Sequence, residues 1–290
     1  MRYLLITVLI VTTLTVDTAS GNLMDALQNL SKPDSKESKL LSGATQILSS
    51  SREIDYKTER TIGESLALEG IQRFGIPVNN ESLQKYVNLV GNGVASNSKR
   101  AKIPYQFAVL DSNVQNAFAV PGGIIFVSRA LVSILSDEAE LAAVLAHEVG
   151  HIAAKHALKS TQRAQFFEGV GTITAASVRG DKGKKFASAI GDMQAVLFDK
   201  GLDKEMEFEA DLAAMETAYR TGYDPSALIR VLEKLQKLEA SSRDKKGSWF
   251  STHPSLTERI ARMRLELKKY PDYAAMAGVQ ERFIKYAKIK

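Results

Sequence analysis

Apolar residues crowd positions 3–14, thin out through residue 51, and then recur at helical spacing over most of the chain. Residues 59–74 carry that rhythm and end at Gly75, with Pro77 beyond, which is a helix stop. Residues 79–94 repeat it, with Asn80 placed as an N-cap and Leu83, Tyr86, Val87 and Val90 on one face. The rhythm changes to alternation over 104–110 (PYQFAVL) and 122–128 (GGIIFVS), which predicts two strands. After Ser136 the pattern is helical almost throughout. Residues 137–158 predict one long helix, capped by Ser136, with Asp137, Glu138 and Glu140 in its first turn. Residues 203–221 predict another, stopped by Gly222 and Pro225. Between them, 166–178 and 186–198 are apolar and rich in small residues, separated by a loop at 179–185. Core helices are the default reading of these two stretches; cleft walls, a lid or a membrane-contacting hairpin are the alternatives. Helices, a small sheet and helices again, without an internal repeat, predict an α+β fold in which helix predominates.

The N-terminal apolar run reads differently. Arg2, about a dozen apolar residues and a small-residue patch make the three-part pattern of a secretory signal. Residues 1–20 are therefore assigned as a signal peptide and the mature chain as exported. The run is shorter than the roughly 20 residues of a spanning helix, and a retained membrane anchor is the alternative. Residues 21–51, rich in Ser, Lys, Asp and Asn, read as a polar linker. The composition is that of a globular protein, 44% apolar and 24% charged, and the net charge of +5 is scattered, so no nucleic-acid partner is expected. With no cysteine, any metal must be held by His, Asp and Glu. Residues 271–290 read as a basic tail whose amphipathic end, 280–290, is long enough only for a peripheral membrane contact.

Of the four histidines, three fall within ten residues: His147, His151 and His156. A step of four residues advances about 40° around a helix, so His147 and His151 share a face one turn apart. Glu148 lies beside them, placed to reach a water. This is the H-E-x-x-H arrangement of zinc hydrolases, and one Zn²⁺ per chain is expected. Ala143, Val144, Val149 and Ile152 make the helix apolar nearly all round, hence buried, and buried imidazoles need partners. On an unbroken helix His156 stands about 140° away from His151, and it is assigned to packing or capping. A third ligand is sought on the carboxylate-rich helix 203–221. There Glu207 and Asp211 share one face, Glu205 and Glu209 another, and helical geometry leaves both pairs open.

HEVGHIAAKH, followed some fifty residues on by EFEAD, resembles metallopeptidase family M48, the gluzincin group that contains the CAAX prenyl protease and HtpX. NAFAVPGGIIFV at 116–127 and STHPSLTERIA at 251–261 resemble two further segments of that family, and the resemblance covers roughly 54–267. It implies a zincin-like peptidase domain over 52–270, with a small β-sheet beside the active-site helix. It also implies Glu207 as third ligand, Asp211 behind the ligands and Glu148 as general base. Asn116, Ala117, Gly122, Gly123 and Ile124 are the candidate substrate-binding residues. If strand 124–128 is an edge, an extended substrate can pair with it. His253 has three readings: an oxyanion donor, a group that reaches the zinc and holds the enzyme closed, or a turn histidine bonded to backbone. Arg259 reads as a structural ion-pair partner. With no second hydrophobic span in the sequence, the resemblance points to the exported branch of LoiP- and BepA-like peptidases. It implies a periplasmic zinc endopeptidase acting on unfolded or misfolded exported proteins, without a small-molecule cofactor. The alternative is a chaperone or assembly factor that holds extended chains with little turnover.

Overall fold

The computed structural model describes residues 54–160, 188, 190–241, 248–253, 255–276 and 278–287. The assigned signal and linker, residues 1–51, lie outside them, as do 166–178 and part of 186–198. The order is α1 (Tyr56–Phe74), α2 (Glu81–Ala95), β1 (Gln106–Leu110), β2 (Ala117–Val120), β3 (Ile124–Ser128) and α3 (Arg129–Ile134). Then come α4 (Glu138–Ala153), α5 (His156–Ser160), a π-helical turn (Val196–Lys200), α6 (Lys204–Thr221) and α7 (Ala227–Ser241). The chain closes with α8 (Trp249–Thr252), α9 (Leu256–Glu266) and α10 (Gln280–Ala287). Among the described residues the fold is α+β and predominantly helical, with one three-stranded mixed sheet.

The strand order is β1-β3-β2: β3 runs parallel to β1 and antiparallel to β2. Strand 124–128 is therefore the centre of the sheet, so the condition for pairing a substrate with it, a place at an edge, is not met. Both faces are covered. Phe107, Val109, Ala117, Ala119, Ile125 and Val127 face the main core with α2 and α4, while Leu110, Phe118, Val120, Ile124 and Phe126 meet α1, Leu197 and Phe198. The described part of 186–198 thus forms core wall. The outer edge of β1 is closed by α2, where the Gln84 and Asn88 amides bond the main chains of Val109 and Phe107 as a fourth strand would. Among the described residues, the outer edge of β2 has no such cover from a strand.

α4 runs through the centre of the main core, packed by α2, α6, α7 and β2. Its N-cap is Asp137, whose carboxylate accepts the Glu140 N–H, instead of Ser136. The expected single helix over 137–158 breaks at Lys155, which adopts a left-handed φ of 56°, and restarts as α5. No helix among the described residues is long and apolar enough to cross a membrane. The amphipathic C-terminal segment docks onto the body: Phe283 and Ala287 are buried, and Tyr286 stacks on Tyr86. Part of its apolar face is thus spent on the core, while Ile284 stays exposed.

Candidate active site

Almost every residue of α4 is buried, His147, Glu148 and His151 included. The Nε2 atoms of His147 and His151 face each other at 3.0 Å. Gly150, on the turn between them, lets α6 approach closely, since a Cβ there would stand 3.2 Å from the Ala210 Cα and carbonyl oxygen. That approach carries Glu207 to the histidines, one carboxylate oxygen 3.5 Å from His147 Nε2 and the other 3.5 Å from His151 Nε2. Of the other acidic pair, Glu205 is exposed and Glu209 points to His156. His147, His151, Glu207 and His253 each offer a donor atom, all within 4.8 Å of one another. Donors that share a tetrahedral zinc at about 2.0–2.1 Å stand roughly 3.3 Å apart, so the observed separations and this N/O set fit that ion.

The charge states agree only in part with a loaded site. Burial pulls His151 well below its usual pKa, leaving a neutral ligand. Burial also opposes charge on His147, but Asp211 and Glu207 outweigh it and raise that imidazole to about 9. His147 must therefore release its proton as a cation enters. Glu207 is driven upward by burial yet held well below the carboxylate range by His253, Arg259 and His151. Behind these groups, Arg259 is wholly buried and grips both oxygens of Asp211 at 2.7 and 2.8 Å, with Nη1 2.8 Å from Glu207. Asp211 in turn stands 3.0 Å from His147 Nδ1. Glu148 is different. Both its oxygens are buried without a hydrogen bond, and burial raises its pKa. A buried carboxylate with no hydrogen bond is costly, and this one faces the donor cluster.

His253 follows α8, which is fixed by the Trp249 N–H to Gln115 carbonyl bond. Its Nδ1 lies 3.1 and 3.2 Å from the Glu207 oxygens, and its Nε2 lies 3.4 Å from the Ala117 carbonyl and 3.7 Å from Glu148. The ring thus spans the third donor, the Glu148 carboxylate and β2. An adjoining cleft is lined by Phe118, Val120, Glu148, His151, Leu197 and Leu202, among others.

Residues 81–266 match the family described as peptidase family M48. The chain belongs to peptidase family M48. Among M48 relatives it is 28% identical over 195 residues to the beta-barrel assembly-enhancing protease of Escherichia coli (strain K12), covering 64% of this chain and 39% of that one. It is 29% identical over 205 residues to metalloprotease LoiP of the same organism, covering 71% and 79%. It is 31% identical over 165 residues to the mitochondrial metalloendopeptidase OMA1 of Arabidopsis thaliana, covering 57% and 32%. The chain spans about two fifths of the length of the assembly-enhancing proteases that it matches. With M48 membership and a buried His-His-Glu-His group able to hold a metal ion, the cofactor is Zn²⁺.

Within the M48 domain, the candidate substrate residues differ in how their main chains are engaged. The Gly122 N–H donates to Glu59 and its carbonyl accepts from Tyr56 and Arg60, so its main chain belongs to a turn held by α1. The Gly123 carbonyl accepts the Gln106 N–H, and Ile124 lies in the central strand. Asn116 engages Ser128 through its N–H and its carbonyl. From that pairing the ladder alternates, so Ala117 and Ala119 direct their main-chain groups away from β3, toward the cleft side. Sequence reasoning also set His156 apart from the site. The turn at Lys155 instead brings its Nδ1 to 2.9 Å from His151 Nδ1, with Nε2 3.2 Å from Glu209. No glycine or proline announces that turn, so the sequence carried no signal for it.

Proposed function

We propose that this chain is a zinc endopeptidase that hydrolyses peptide bonds of unfolded or misfolded exported proteins. His147, His151 and Glu207 are its metal ligands and Glu148 its general base. The observation that carries this reading is Glu148, a buried carboxylate with no hydrogen bond to either oxygen, beside three convergent donors. When bound, Zn²⁺ polarises the scissile carbonyl and lowers the pKa of water toward neutrality. Glu148 accepts the proton of the attacking water on a carboxylate oxygen and delivers it to the leaving amine nitrogen. Arg259 and Asp211 hold Glu207 and His147 in place. The outer edge of β2 offers Ala117 and Ala119 main-chain groups to an extended substrate, a mode that reads backbone and favours unfolded segments. His253 covers that edge and the donors together, so it holds the cleft closed until it swings aside. The substrate class draws on the likeness to the beta-barrel assembly-enhancing protease and metalloprotease LoiP, and the exported location on the signal pattern at residues 1–20.

The test is cleavage of casein by zinc-assayed protein beside Glu148→Gln. The expected result is that wild type and variant each carry about one zinc, as a site of this kind predicts, and only the wild type cuts. Zinc in both with no cleavage by either, and none on His253→Ala, would promote the chaperone reading.

A further inference from the structure

His156 is a buried histidine that the mechanism does not use. His151 offers Nε2 to the donor cluster, so the proton of its neutral ring sits on Nδ1 and needs an acceptor. The atom 2.9 Å from that Nδ1 is His156 Nδ1. For it to accept, neutral His156 must carry its own proton on Nε2, and that nitrogen has Glu209 Oε2 at 3.2 Å. One set of tautomers satisfies every link from the surface carboxylate to the cluster. Ligating histidines almost always donate their second N–H to such a partner, which fixes the ring and raises its basicity. On the other ligand, His147 Nδ1 has Asp211 Oδ1 3.0 Å away.

We propose that His156 and Glu209 are a positioning pair that fixes the tautomer and ring orientation of His151 for zinc, relayed from a surface carboxylate through a second histidine. The inference rests on His151 being a ligand. It also assigns a purpose to the turn at Lys155: without that turn, His156 would lie on another side of the helix.

The experiment measures Zn²⁺ affinity by competition with a chromophoric chelator, together with thermal unfolding of each metal-free protein. His156→Leu fills the buried space but leaves the His151 N–H unpaired, and its affinity should fall by about 10- to 100-fold. His156→Asn places a carbonyl oxygen where Nδ1 stood and should recover most of that loss. A packing role predicts the reverse order. Glu209 is more than half exposed, so Glu209→Ala should unfold as wild type does while binding zinc several-fold more weakly; it decides the matter if the His156 variants do not fold. Wild-type affinity in His156→Leu and Glu209→Ala, with His151→Ala impaired, overturns the pair alone. Wild-type affinity in His151→Ala overturns the ligand assignment, and the pair with it.

Discussion

Arg259 shows how much of this site is held by one residue. Its guanidinium is fully buried between Asp211 and Glu207, and burial alone would disfavour its charge. The two carboxylates outweigh burial and keep it protonated, while Arg259 helps to hold both of them ionised. Taking out one member of such a buried set leaves the rest uncompensated, at roughly 3–5 kcal/mol. Arg259→Leu is therefore expected to lower the melting temperature of the metal-free protein by about 10 °C, at the 2–4 °C per kcal/mol typical of this size. A melting curve that overlays the wild type would show that Asp211 and Glu207 do not depend on it. The role of Arg259 as an ion-pair partner was legible in the sequence; which carboxylates it joins was not, because they lie some fifty residues away.

At the scale of elements, the two outer strands receive opposite treatment. β1 is sealed by amide side chains of α2, whereas β2 faces the cleft with alternate main-chain groups turned outward. Helical spacing made α1, α2, α4 and α6 legible, and alternation found β1 and β3. Neither pattern states strand order, which depends on pairing between segments, so which strand is an edge stayed open in the sequence. If substrate adds to β2, its ladder hydrogen bonds recur at every second residue. A short peptide substrate N-methylated at one amide at a time should then lose cleavage efficiency at alternate positions. A net backbone hydrogen bond of about 0.5–1.5 kcal/mol predicts roughly 2- to 10-fold at each. Equal losses at successive amides would place the substrate away from this edge.

The whole molecule is tied together at the far end of the active-site helix. Glu138, the first residue of α4, has a buried carboxylate that accepts from Tyr86 of α2 at 2.7 Å, Tyr223 after α6 at 2.6 Å and Arg282 of α10 at 2.6 Å. In the sequence Glu138 looks like an ordinary first-turn acid and Arg282 like part of a basic tail, because nothing local tells that they meet. Burial pushes the Glu138 carboxyl upward, but Arg282 and the two tyrosine hydroxyls outweigh it, and the pKa ends below the usual value. A carboxyl whose folded pKa lies below its unfolded one stabilises the fold above the unfolded value, about 4.3, and ceases to do so as pH falls through the folded value. Glu138→Gln removes the charge at every pH. Urea unfolding should find the variant less stable than wild type at pH 7, with a gap that stays constant down to about pH 5. The gap should then shrink as wild-type Glu138 takes up its proton. A gap that holds its full size down to pH 3 would mean that the amide fails through its shape and not its lost charge.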